Sequence, residues 1–137
     1  MSAAREWRLG LAYAHIPLSA NDRLHWAERS RRSRKLRDKI RWLTRHHNIP
    51  RLDRIHVQIE WTPAVARTRD PENLAPTQKA IIDGLRDYGS LRDQPPWVGI
   101  VADDGPDHVT WSPPVIHAPD RTATQRLVVV ITELSGE

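Results

Sequence analysis

Three kinds of side chain in this sequence carry chemistry: carboxylates in two short clusters, one lysine between them, and a dense run of arginines upstream. The first acidic cluster opens the stretch RDPENLAPTQKAIIDGL, residues 69–85, where Asp70 and Glu72 stand at the mouth of an apolar helical stripe. The second is VADDGPDHV, residues 101–109, where Asp103 and Asp104 follow directly on an apolar run. Asp at an N-cap, Pro at the first helical position and an acid next to it make a favoured helix start. The carboxylates there meet unpaired N–H groups and the positive end of the helix dipole. That accounts for Asp70 and Glu72 without any function. It does not account for Asp103 and Asp104, since adjacent like charges repel unless a cation is near or water surrounds both.

Asp70, Glu72 and one of the Asp103/Asp104 pair together offer three hard oxygen ligands of the kind Mg²⁺ takes, with water and a substrate phosphate completing an octahedron. Lys79 lies seven residues beyond Glu72 and four before Asp83, so on an unbroken helix the three share a face. Pro76 argues against an unbroken helix. A lysine beside such a site can neutralise charge building on a phosphoryl oxygen.

The elements that must position these groups follow from periodicity. Trp7 to His15 alternates apolar and polar residues as a half-buried strand does, and stops before Pro17. PLSANDRLHW reads as a loop. From about Trp26 to His47 the spacing of Leu36, Ile40, Leu43 and His47 predicts a long helix, ended by Asn48 and Pro50. Ile55, Val57, Ile59 and Trp61 alternate as a second strand. Leu74, Gln78, Ile81, Leu85 and Tyr88 form the stripe of a second helix. WVGIVADD holds a short strand, HVTWSPPVI an edge strand because its prolines cannot donate to a ladder, and RLVVVITEL a strand buried on both faces. The order β-α-β-α-(β)-β-β implies an α/β (α+β) fold, with two main helices packed on one mixed sheet in a single domain.

With 137 residues, 39% of them apolar and 28% charged, the chain has the composition of one globular domain. The absence of cysteine excludes disulfides and thiolate metal sites. No apolar run approaches the roughly 20 residues of a bilayer span, and no signal peptide is read at the N-terminus. The expectation is a soluble cytoplasmic protein with no membrane association. The formal charge of +4 is unevenly spread: Arg23 to Arg54 holds twelve Lys or Arg against three acids, and Asp70 to Asp107 holds eight acids against three bases. The helix that carries Arg29, Arg31, Arg34, Lys35, Arg37 and Arg45 is basic almost all round, and guanidinium forks match phosphate oxygens. A basic half beside an acidic half suits an enzyme that binds a polyanion through a cation site. Solvated faces of ordinary helices are the plain alternative.

Together, RDPENLAPTQKAIIDGL, ADDGPDHV and the upstream PLSANDRLHW resemble the RusA family of Holliday-junction resolvases, the crossover junction endodeoxyribonucleases. The likeness runs in order from about Pro17 to Val109. It implies a small homodimer, of a kind common on phage genomes, that cuts four-way junction DNA symmetrically in recombination and repair. It implies Mg²⁺, with Mn²⁺ able to substitute, and no organic cofactor. By position, Asp70, Glu72 and Asp104 match the metal-binding acids and Lys79 the essential lysine. Asn73, Asp83 and Asp103 match supporting positions. Asn21, Arg23 and His25 fall where the family contacts DNA, beside Arg31, Arg34, Lys35 and Arg37 of the basic helix. Glu72 departs from the aspartate of the best-known members, and Ala75-Pro76-Thr77 stands as an insertion before Lys79.

Two other functions fit the same residues: a non-catalytic nucleic-acid-binding phage regulator, and a nuclease for other branched DNA or for RNA. Single residues also have plain readings. Trp26 is expected to cap the core, Asn21 to make an Asx-turn, and His46 and His47 to complement a helix C-terminus. Trp7 and Trp61 fit core positions. His108 lies near the acids in sequence, within reach of a proton-transfer role, and Trp97 is suited to base stacking or a dimer contact.

Overall fold

The computed structural model describes residues 4–66, 70–87 and 98–134. Its elements are β1 (Glu6–Leu11), α1 (Trp26–His46), β2 (Ile55–Trp61), a 3₁₀ turn (Pro71–Leu74), α2 (Ala75–Leu85), β3 (Val109–Trp111), β4 (Val115–Ile116) and β5 (Leu127–Glu133). The β-branched run of β5 lies between β1 and β2, antiparallel to both, while β2 runs parallel to β3 and β4. This is the mixed sheet with two helices that the pattern predicts.

Period-two alternation decides which side chains meet the helices. Ile55, Val57 and Ile59 of β2 and Leu127, Val129 and Ile131 of β5 are wholly buried, and they share one core with Leu36 and Ile40 of α1 and Leu74, Ile81 and Leu85 from the second helical segment. The second face of β5 is less covered than expected. Val130 is buried between Arg8 and Gln58 in register, but Val128 and Thr132 are half-exposed. Polar pairs occupy that face: Arg8 Nη2 donates to Glu60 Oε1 at 2.9 Å, and the His56 ring meets the Thr110 and Ser112 hydroxyls at 2.7 and 2.8 Å.

Three boundaries differ from the sequence reading. β1 ends at Leu11, because its register partner Leu127 is the first residue of β5 and no ladder remains beyond it. The run before Asp103 is not a strand among the described residues, only a bridge between Val101 and Arg86. The edge strand is cut in two by Pro113 and Pro114, which contribute no N–H to pair with β2. α2 ends at Leu85, and Tyr88 and Trp97 lie outside the described residues. Glycine permits the close helix packing: a Cβ on Gly84 would stand 3.0 Å from the Arg37 carbonyl and the Ile40 side chain of α1. Among the described residues no helix is long and apolar enough to cross a membrane.

Candidate active site

Asp70 begins the site as a helix cap. Its backbone is extended, and its Oδ1 accepts the Glu72 N–H at 2.9 Å, while the Asn73 N–H donates to the Asp70 carbonyl at 3.0 Å. The 3₁₀ turn runs straight into α2, so Pro76 falls in the first helical turn, where its missing N–H costs nothing. The doubt that Pro76 cast on helical continuity is thereby removed. Glu72, Lys79 and Asp83 consequently face one cleft of about 570 Å³, together with Gln78 and Ile82. Asp104, Trp111, Pro113 and Pro114 form the opposite wall.

The acidic tip is brought there by the end of α2. The Ile100 N–H donates to the Leu85 carbonyl and the Asp87 N–H to the Val101 carbonyl, each at 2.9 Å. Leaving this pairing, the chain turns at Asp103, whose Oδ1 accepts the Asp104 N–H at 2.8 Å. That backbone hydrogen bond, aided by further hydrogen bonding with Asp104 and the positive charges of Arg86 and His108, holds the Asp103 carboxyl below its ordinary range. The cation that adjacent aspartates call for is Arg86. Its Nε stands 3.7 Å from Asp104 Oδ2 and 3.8 Å from Asp83 Oδ1, linking the two walls.

Of the residues expected to act, Glu72, Lys79, Asp83 and Asp104 line the cleft, whereas Asp70 and Asp103 do not. Among the described residues no three Asp, Glu or His side chains stand close enough to hold one ion. The donors nonetheless suit Mg²⁺, which is commonly held by one or two carboxylates with water and phosphate oxygens filling the rest of its shell. Glu72 and Asp104 are two carboxylates on the lining of the same cleft. Lys79 is exposed and makes no ion pair among the described residues. His108 hydrogen-bonds outside the cleft, with its Nδ1 2.8 Å from the Asp53 carbonyl oxygen.

The PLSANDRLHW loop is fastened to the same helical segment. Thr77 Oγ1 accepts the Leu18 N–H at 3.2 Å and donates to the Leu18 carbonyl at 2.7 Å, and the Ala20 N–H donates to the Asn73 carbonyl at 3.1 Å. Thr77, the last residue of the Ala75-Pro76-Thr77 stretch, is therefore an anchor of the loop. Asn21 and Arg23 are exposed on it. The side chain that makes the turn is Asp22, whose Oδ2 accepts the Ser19 N–H at 3.1 Å, not Asn21. His25 caps α1 through Nδ1, which accepts the Ala27 N–H at 3.2 Å. Trp26 does not cap the core. It is 75% exposed, because it starts α1 on the solvent side.

On α1, Arg31 and Arg32 pair with Glu28 at 3.0 and 3.1 Å, and Arg37 donates to the Ser33 hydroxyl at 3.0 Å. Arg34 and Lys35 are exposed and make no ion pair among the described residues. Lys35 joins Arg32, Lys39, Tyr13 and His15 around a second groove of about 430 Å³, with the Lys39 ammonium 4.3 Å from the Tyr13 ring centre. At the far end His46 stacks on Trp42 at 4.7 Å.

Four residues matter here that sequence reasoning passed over: Thr77, Gln78, Arg86 and Trp111. Gln78 carried a signal, as the one polar member of an apolar stripe. Arg86 was readable only as an i, i+3 partner of Asp83, and Trp111 carried no signal, since Asp104 and the α2 side of the cleft lie far from it in sequence. Neither the family models nor the curated proteins with which the sequence was compared give a match.

Proposed function

We propose that the protein is a divalent-metal-dependent endonuclease that resolves four-way DNA junctions. The observation that carries this reading is the convergence of Glu72, Lys79 and Asp83, from one helical segment, with Asp104, from a distant one, on one cleft. Its chemistry is that of phosphodiester hydrolysis: oxygen donors for a hard cation and an unpaired ammonium for a phosphate. The basic helix α1, packed against α2, adds the affinity for a polyanion that such an enzyme needs.

In this mechanism Glu72 and Asp104 would be the residues that hold Mg²⁺, and Asp70 caps the 3₁₀ turn that carries Glu72. When bound, the ion supplies Lewis acidity and an ionised water at neutral pH. Lys79 draws a non-bridging phosphate oxygen into the cleft and offsets the charge that grows on it. Asp83 and Arg86 keep the acidic tip in register with α2. Arg34 and Lys35 hold the flanking phosphates, and Asn21 and Arg23 extend that contact from the docked loop. A two-fold homodimer presents two such clefts to opposed strands, since a symmetric substrate suits an isologous dimer.

The test is incubation of pure protein with an end-labelled four-way junction, with Mg²⁺, Mn²⁺, Ca²⁺ or EDTA. Paired nicks in Mg²⁺ and Mn²⁺ and binding without turnover in Ca²⁺ are expected. Binding with no cleavage under any metal returns the protein to the non-catalytic nucleic-acid binders. A panel of flaps, forks, duplexes and RNA separates a resolvase from a nuclease for other substrates.

A further inference from the structure

We propose that the groove between α1 and the segment leaving β1 is a second DNA-binding surface, which takes the phosphate backbone of a duplex arm outside the cleft. This goes beyond the site described above and rests on the nucleic-acid part of that reading, not on its chemistry. The groove, of about 430 Å³, lies between Arg32, Lys35 and Lys39 of α1 and residues 13–17. Among the described residues its lining carries three cationic side chains and no carboxylate. The cleft is the reverse, with Glu72, Asp83 and Asp104 around one lysine.

The positive charge of this groove is left largely uncancelled. Other basic side chains meet an acid of their own, as Arg5 meets Glu133 and Arg51 meets Asp87. Lys35 and Lys39 are exposed and make no ion pair among the described residues, and Arg32 shares the Glu28 carboxylate with Arg31. Lys39 is held instead by an aromatic face, its ammonium 4.3 Å from the Tyr13 ring centre. A ring attracts a cation without neutralising it, so Lys39 is positioned while its charge and N–H donors stay available to an oxyanion.

The arrangement of the cations commits the occupant. Arg32, Lys35 and Lys39 stand at i, i+3 and i+7 and so run in file along one side of α1, over about 10 Å at 1.5 Å per residue. Cations converging on one point would suit a compact anion. A file of them suits a linear polyanion, and each strand of a duplex presents a phosphate about every 3.4 Å along its axis. The place in the fold points to the DNA that the cleft would take. Pro17 borders the groove, and Leu18, next to it, is hydrogen-bonded in both directions to Thr77; Gln78 and Lys79, which follow Thr77, line the cleft. Groove and cleft are thereby fastened to each other, so DNA held in one keeps a fixed relation to the other.

The experiment is fluorescence anisotropy in EDTA with a labelled linear duplex and a labelled four-way junction, across a salt series, beside a cleavage time course in Mg²⁺. Lys35→Gln and Lys39→Gln together should flatten the slope of log affinity against log salt by about 1.8, that is, about 0.9 for each lost phosphate contact. The advantage of wild type over this double variant should then shrink about 12-fold between about 50 and 200 mM salt. Lys39→Arg, which keeps the charge, should leave the slope unchanged. Tyr13→Leu should weaken binding of both DNAs, and Tyr13→Phe, which keeps the ring under Lys39, should not. Circular dichroism checks that each variant is folded. An unchanged slope in the double variant overturns the proposal. So does polyglutamate, a linear polyanion without phosphate, if wild type binds it more tightly than duplex of equal charge and the double variant loses that preference, which assigns the groove to an acidic peptide. Binding is read without metal or turnover. Wild type that shows the expected slopes but never cleaves therefore defeats the endonuclease reading and keeps the groove, and normal junction cleavage with an unchanged slope does the reverse.

Discussion

Arg86 lies between Asp83 and Asp104, with its Nε within 3.8 Å of a carboxylate oxygen of each. One residue thus joins the end of α2 to the acidic tip by its side chain and, through the bridge to Val101, by its backbone. Arg86→Met keeps the length of the side chain and removes the charge. If the guanidinium positions Asp104 for the metal, cleavage should fall about 10- to 100-fold, the usual cost of losing a group that orients a ligand. The Mg²⁺ concentration for half-maximal rate should shift, and binding in EDTA should not weaken. A purely structural ion pair would instead lower the thermal midpoint and leave the rate per folded molecule unchanged.

Thr77→Val tests the anchor of the substrate loop. The change conserves shape but removes the hydroxyl that accepts from and donates to Leu18 in a fully buried site. Stranding both backbone groups should cost about 1–3 kcal/mol for each one left unpaired, read from urea denaturation. Release of the loop that carries Asn21 and Arg23 should also weaken junction binding. Unchanged stability would mean that water or another donor replaces Thr77.

Asp104→Asn separates metal binding from turn formation. Asparagine keeps the size of the side chain but loses the charge, so cleavage should collapse by orders of magnitude if Asp104 holds Mg²⁺. Fold stability should change little, because a partly exposed ion pair such as that with Arg86 contributes about 0–1 kcal/mol. In EDTA the variant should bind junctions as well as wild type or better, since a carboxylate facing a phosphate repels it until a cation lies between. Normal cleavage would remove Asp104 from the site.

Replacing Arg34 and Lys35 by Gln tests whether α1 supplies affinity. Both are exposed and make no ion pair among the described residues, so their loss should not destabilise the fold. Each lost phosphate contact should remove about 0.9 from the slope of log affinity against log salt on duplex arms. An unchanged slope would mean that this face of α1 points away from DNA.

Local chemistry made much of the molecule legible in the chain. β2 reads from strict alternation, α1 from Leu36, Ile40 and Leu43, and the helix start at Asp70 from a cap whose partner is two residues away. Each depends on neighbours within a turn or a pleat. The common face of Glu72, Lys79 and Asp83 follows from the same short range once Pro76 falls in the first turn. What the tertiary structure alone decided was long-range. Asp104 reaches the α2 wall only because Ile100 and Val101 pair with residues 85–87, and Trp111 faces it only because β3 lies at the edge beside β2. The unpaired Oε1 of Gln78, the exposure of Trp26 and the clamp between Thr77 and Leu18 belong to the same class. Each depends on which distant segment arrives as a neighbour, and periodicity along one segment does not encode that choice.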